Sequence, residues 1–485
     1  MAKQMGAWAI VFAVVLFSQS VWADAFVVKA GEPLTITDEN VGEFAGGLTF
    51  EDAEGVVTFT TTAAPTMSIT GAGTLVKDNA ANWTLATAQT GFTGTWDFKG
   101  GLAELTVEGG AGKVDASGVG PIYVRSGATF KISVATHMMY REFRLAGTGV
   151  DGKGALFCNV QDTTGLISLL RLEEDALLHS DKLWFLQQAS GGPTAQVDLN
   201  GKTLFVDGGA VVYLINGKTV NGGCVKVVKT TTLSHRGTFM FDAQTELRFE
   251  DGSTYMIFND SAPQVAKLVA EGGLRMYHVH QFHADSTTGK PVPCPQDGSK
   301  NNWLGEICLT NQASLLNLGN GSRDDLGETL TIAGPLTGPG SVSVFGSEDK
   351  FGRVVLSCPS NAFTGTLTVG APTTSAETGW LEATHSNAIP NYANLKLDNG
   401  VLMLRPGADG WSWDADAVTR LVAQADSVGA GAPVLDTSAC EDGRLVLQGP
   451  ALDAVENRRE TTTVGHAGEG DVTVVGPVTN PVCYR

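Results

Sequence analysis

Two stretches of this chain are written to one template. Residues 71–95 read "GAGTLVKDNAANWTLATAQTGFTGT" and residues 338–366 read "GPGSVSVFGSEDKFGRVVLSCPSNAFTGT". Each opens Gly-x-Gly, with Gly71 and Gly73 in one and Gly338 and Gly340 in the other. A Ser or Thr and an apolar residue follow. Each then carries a middle strand with a Leu, Leu85 or Leu356, ahead of a Phe, Phe92 or Phe363. Each closes on FTGT, with Gly94 or Gly365 inside it, and runs into another strand. The loop after the first strand is what differs in length. Self-similarity of this kind restricts the fold to architectures built by repetition.

The text between the two copies keeps the same manner. "FVVKA", "GVVTFTT", "IYVRS", "TFKISV", "TLFVDGGAVVYL", "CVKVVK", "TLTIAG" and "RLVLQG" are short period-2 runs cut by Gly, Asp or Asn. Val and Thr dominate them, which suits a pleated, half-buried surface. Glycine supplies 60 of 485 residues, more than a typical globular share, so many tight corners are expected. A solenoid of ~20–25 residues per turn accounts for both the strands and the glycines. An array of β-sandwiches is the competing architecture. In the solenoid, Val, Leu, Ile and Phe point inward, and Thr, Lys, Asp and Glu point out. Two helices are expected in loops: one over 414–429, capped by Asp414 and ended by Gly429, and a shorter one over 261–272, capped by Ser261 and ended by Gly272.

Lys3, the apolar run 7–17 and the small residues before Ala23 and Ala25 have the order of a secretory leader. Residues 1–23 are therefore read as a signal peptide and 24–485 as the solenoid. The run is short for a membrane span, which takes ~20 residues, and no later segment is apolar enough to cross a bilayer. Net charge is −19, from 51 acidic and 32 basic residues. No basic stripe is available for a nucleic-acid partner. The seven cysteines lack any CxxC and imply no disulfide framework, though export would permit a Cys294–Cys308 bridge.

The paired segments resemble the autotransporter-associated β-strand repeat family. Its unit runs Gly-x-Gly-x-Leu, a Gly-rich turn, a short apolar strand, then Asn-x-aromatic-Thr-Gly. Residues 338–370 match through "GPGSVSVFG", "GRVVLS" and "NAFTGTLTV", with Asn361 and Phe363. Residues 371–404 resemble it through "AIPNYANLKLDNGVLML". Residues 71–106 are a weaker copy in which Gln89 replaces the Asn. The resemblance implies a right-handed parallel β-helix exported to the cell surface or medium. It implies little about chemistry, and no cofactor is expected. No C-terminal segment has the ~10-residue amphipathic strands of a translocator barrel, so the chain reads as a truncated member or one whose attachment signal is missing.

Candidate chemistry is sparse. "MYHVHQFHAD" brings His278, His280 and His283 together with Asp285, and on a strand His278 and His280 would share a side and could share a metal. A surface histidine cluster explains the same letters. Carboxylates adjoin at Glu173, Glu174 and Asp175, at Asp324 and Asp325, and at Glu348 and Asp349. Adjacent strand residues point to opposite faces, so adjacency is no sign of an acid–base pair. Ser234 and His235 likewise adjoin without a nucleophile elbow. Trp96, Trp380, Trp411 and Trp413 could stack on sugars or fill the core. No catalytic, cofactor or metal residue is assigned. The expected function is structural or adhesive: a surface rod that displays loops such as 284–303 to a glycan or cell-surface partner, in an oligomeric state left open. A polysaccharide lyase or glycoside hydrolase on a β-helix is the alternative. Phe92 and Phe363 are expected to lie buried at equivalent corners, with Gly94 and Gly365 bending the chain.

Overall fold

The computed structural model describes residues 24–107, 116–134, 141–159, 169–182, 194–258, 261–279, 301–320, 329–345, 353–370 and 380–390. It adds separate strands at 184–187, 395–397, 401–404, 411–413, 434–436, 445–448, 464–465 and 472–475. The leader-like residues 1–23 lie outside this set.

Three short strands make one turn. Ile69–Gly71, Thr74–Lys77 and Trp83–Leu85 are followed by Gly91–Phe92, Thr95–Phe98 and Gly101–Leu105. Each pairs in parallel with its successor one turn later: Thr70 opposite Gly91, Leu75 opposite Trp96, Leu85 opposite Leu105. Backbone contacts therefore join residues about one turn apart, as in the Thr93 N–H bond to the Gly71 carbonyl across 22 residues. The chain is a parallel β-solenoid. A sandwich would have been knit from antiparallel hairpins, and every pairing among the described strands is parallel.

Register turns the period-2 pattern into a stacked core. One inward row runs Leu34, Val57, Leu75, Trp96, Ile122, Phe143, Leu170, Val197 and Thr219, each opposite the next. Aromatic rings fill its N-terminal part. Trp96 stacks on Phe98 at 5.2 Å, and Phe98, Phe130 and Phe143 follow at 5.4 and 5.7 Å. Lys77 breaks the expected alternation. It lies inward between Phe59 and Phe98 and is fully buried. Its Nζ donates to the carbonyls of Asn79 and Gly100 at a corner, and burial lowers its pKa to about 8.

The two copies of the template agree strand for strand. Leu336–Gly338, Ser341–Phe345, Arg353–Leu356, Ala362–Phe363 and Leu367–Val369 repeat the order of the first five strands of residues 69–98. Gly71 is the register partner of Phe92, and Gly338 of Phe363. Both Phe rings and both Leu85 and Leu356 are buried. Two expectations need correction. The corners are not on one face: Phe92 belongs to a four-stranded sheet and Phe363 to a twenty-stranded one. And Gly94 and Gly365 do not bend the chain through an unusual φ. The positive φ belongs to Gly71 and Gly338, at +94° and +97°. Gly94 and Gly365 are needed for close approach, because a Cβ there would lie 1.9 Å from the Gly73 carbonyl oxygen and 2.2 Å from that of Gly340.

The substitution of Asn by Gln in the first copy keeps its role. Asn361 accepts from the Leu336 N–H at 2.8 Å and donates to the Ala388 carbonyl at 2.9 Å. Gln89 accepts from the Ile69 N–H at 2.8 Å and donates to the Met67 carbonyl at 3.1 Å. Each amide ties its corner to the preceding turn, and Asn361 reaches the following one as well.

No α-helix occurs among the described residues; the helical turns are short 3₁₀ segments such as Val41–Phe44. The helix expected over 261–272 is a strand, Lys267–Ala270, paired with Thr245–Phe249 and Ile307–Leu309. The apolar spacing fits period 2 as well as 3.6, and a strand completes the ladder at Leu268 and Ala270. Ser261 donates to the carbonyls of His235 and Phe258 instead of capping a helix. The helix expected over 414–429 lies outside the described residues.

Candidate functional site

The residues singled out by sequence do not converge. His278 faces the core with no solvent exposure, while His280, His283 and Asp285 lie outside the described residues. Among the described residues no group of three His, Cys, Asp or Glu side chains could hold a metal. Glu173 pairs with Arg144 at 3.4 Å, and Asp175 accepts the Thr203 N–H at 2.8 Å, so both are spent on the scaffold. The pairs at 324–325 and 348–349 lie outside the described set. Trp96 is core, its Nε1 donating to the Ser117 carbonyl at 3.1 Å. The side chains of Trp380, Trp411 and Trp413 are outside the description, as is most of loop 284–303. Its end is not displayed: Asn301, Asn302 and Trp303 are buried. Cys308 is a free thiol; Cys294 falls outside the described residues.

Ser234 and His235 point to opposite faces, as strand neighbours must. His235 stacks on Tyr255 inside the rod, 5.4 Å between ring centres, and its Nδ1 shares a hydrogen bond with the Tyr255 hydroxyl at 2.7 Å. Burial pushes the His235 pKa down to about 3; the nearby Ala262 carbonyl opposes this and His278 adds to it. A base sealed in the core and paired with a buried phenol has no route to a substrate. Ser234 faces outward yet is fully covered, and its Oγ has no hydrogen-bond partner among the described residues.

The outer surface divides into two characters. On the twenty-stranded sheet, outward positions form ion-pair ladders. Lys226 meets Glu250 and Glu271 at 3.2 Å each, Arg248 meets Glu271 at 3.0 Å, and Lys267 meets Glu306 at 3.1 Å. These exposed or half-exposed pairs hold Glu271 and Glu306 below the usual carboxylate range: at Glu306 the Thr337 and Lys267 bonds outweigh burial, and at Glu271 burial opposes the Lys226 and Arg248 contacts that prevail.

The nine-stranded sheet differs. Val211–Ile215, Thr232–Arg236, Ser253–Phe258, Gly273–Val279, Leu315–Asn320, Ser341–Phe345 and Leu367–Val369 contain no Asp or Glu. Their outward residues fall into rows. One runs Tyr213, Ser234, Met256, Tyr277, Gly319 and Phe345. Beside it runs a polar row, Thr232, Thr254, Arg275, Asn317, Ser343 and Thr368, in which only Arg275 is long. The small members seat the large ones: a Cβ on Gly319 would strike the Phe345 ring at 2.5 Å, so that ring lies back over the glycine.

Two arginines sit among these rings. The Arg275 guanidinium lies 4.8 Å from the Tyr277 ring centre and 5.0 Å from that of Phe345. Arg236 lies 5.0 Å over Phe258, which meets Tyr213 edge-on at 5.9 Å. Burial pushes the Tyr213 phenol up, with Tyr277 adding and Arg236 opposing, which places all three in one electrostatic neighbourhood. Arg125, Arg144, Arg171, Arg248 and Arg353 pair with carboxylates, and Arg141 donates to backbone carbonyls of the 117–120 corner. Arg236 and Arg275 have no acidic partner among the described residues. Rings and guanidinium planes beside hydroxyls and an amide form a surface that can stack, hydrogen-bond and attract anions. The sequence showed each of these residues singly; only the register aligns them in rows.

No family model, curated protein or solved structure matches this chain.

Proposed function

We propose that the chain is an exported, non-catalytic β-solenoid that acts by display: a stiff rod presents its aromatic and guanidinium face to a glycan or cell-surface partner. The observation that supports this most is the acid-free outer face of the nine-stranded sheet, where a row carrying Tyr213, Tyr277 and Phe345 runs beside a row of polar side chains. Aromatic rings take the apolar faces of sugars, and the polar row takes their polar edges. Export rests on the leader-like order of residues 1–23, and kinship with autotransporter-associated repeats rests on the matched template. Incubating the purified protein with a panel of polysaccharides tests the reading. Retention without release of new reducing or unsaturated ends is expected. Reproducible cleavage of any glycan would replace display with the enzymatic alternative.

A further inference from the structure

Resting on the display reading, we infer that the face formed by Tyr213, Arg236, Arg275, Tyr277 and Phe345, with Phe258 buried beneath Arg236, takes a carboxylate-bearing polysaccharide. Charge complementarity chooses the ligand. The chain carries 51 acidic residues against 32 basic ones, yet these strands carry no acidic residue at all. The two arginines that lack an acidic partner among the described residues stand on this face. Elsewhere the described arginines meet carboxylates or, for Arg141, backbone carbonyls.

The spacing suits a chain of sugars. Rungs of a parallel sheet stand ~4.8 Å apart, comparable to the length of one sugar residue, and the row carries rings on its first, fourth and sixth rungs, Tyr213, Tyr277 and Phe345. Arg275 lies in the polar row beside Tyr277, and Arg236 lies on the far side of the ring row, next to Phe258. A polymer lying along the rings would meet a guanidinium on each flank. Stacking holds each guanidinium plane over a ring, so its N–H edges stay available to a carboxylate in the two-bond geometry that lysine cannot reproduce. Thr232, Thr254, Asn317 and Ser343 offer donors and acceptors to the sugar hydroxyls. Nucleic acid fits less well. An OB-type single-strand site needs a positive groove along its backbone path, and two guanidiniums on a strongly acidic protein do not make one.

The test is affinity electrophoresis and calorimetry of the whole protein with polygalacturonate, dextran, polyglutamate and oligo(dT). The proposal expects polygalacturonate to bind at least tenfold more tightly than dextran or polyglutamate, with affinity falling as salt rises. The Arg236→Gln/Arg275→Gln variant should lose at least tenfold in affinity, Tyr277→Ala a comparable amount, and Lys99→Ala on another face nothing. Arg275→Lys keeps the charge without the planar fork, and an intermediate loss is expected. Circular dichroism checks that each variant keeps its strand content; should the Tyr277 variant unfold, the arginine pair carries the test. Polyglutamate or oligo(dT) binding as tightly as polygalacturonate would overturn the proposal, as would unchanged affinity in the double-arginine variant. Dextran binding that Tyr277→Ala abolishes, without preference for polygalacturonate, would sink the acidic ligand and leave the display reading standing. Retention of no polysaccharide would remove both.

Discussion

Phe363 lies directly opposite Gly338 on the preceding turn, and Phe92 stands in the same relation to Gly71. The glycine is held there twice over. Its φ of +97° disfavours any side chain, and a Cβ would sit 2.0 Å from the Leu309 carbonyl oxygen. Gly338→Ala should therefore cost more than the ~1–2 kcal/mol of a left-handed residue alone, on the order of 3 kcal/mol or more with the clash. Gly31→Ala is the control, since Gly31 has φ +75° and nothing within 4 Å. Denaturation of both variants decides it; equal losses would mean that the close approach contributes nothing.

Asn361 bridges three turns with one amide. Asn361→Ala strands the Leu336 N–H and the Ala388 carbonyl in a buried corner. Each orphaned group costs ~1–3 kcal/mol. In a solenoid each turn contacts only its neighbours, so the damage should stay local. Hydrogen exchange is expected to quicken across 336–388 and to stay unchanged across 26–105. Uniform quickening along the rod would contradict this.

Ser234 and Ser261 should respond with opposite sign. Ser234 buries a hydroxyl with no partner among the described residues, so Ser234→Ala relieves a desolvation cost and is expected to be neutral or stabilising by up to ~1 kcal/mol. The Ser261 hydroxyl donates to the Phe258 carbonyl at 2.8 Å and the His235 carbonyl at 3.1 Å. Ser261→Ala should destabilise by ~1–2 kcal/mol. Thermal unfolding of the pair reads both signs, and a destabilised Ser234→Ala would show that its hydroxyl is engaged.

His235 ties stability to acid. Its pKa falls from 6.5 to about 3 on folding, chiefly through burial. The unfolded chain takes up this proton below pH 6.5, and the folded chain does so only near pH 3. Its contribution is thus complete above pH 6.5 and is lost as pH falls toward 3, at up to ~1.4 kcal/mol per pH unit. His235→Gln keeps an acceptor for Tyr255 and cannot titrate. Wild-type stability should fall more steeply than the variant's between pH 6.5 and 4; parallel curves would rule out this source of acid sensitivity.

Repetition and period-2 alternation made the solenoid legible, because both are written along the chain. What the letters did not show depends on neighbours one turn away. The strand at 267–270 was readable as a helix because only its partners, Thr245–Phe249 and Ile307–Leu309, choose between the two periods. Residue type alone points Lys77 outward, and the corner carbonyls of Asn79 and Gly100 draw it inward. Gln89 looked like a departure from the template, yet its longer side chain completes the same kind of amide bridge. The candidate face was least visible of all. Tyr213, Tyr277 and Phe345 lie on separate turns, and nothing in the linear text places them in one row.

The equivalent Phe corners of the template's two copies sit on different sheets although each copy keeps its strand order. The template is therefore not tied to one side of the rod. Gain or loss of a single strand with its corner rotates everything downstream by one side without disturbing the stacking upstream. Such a chain can lengthen in fractional steps, and each step redirects which way its later surfaces look.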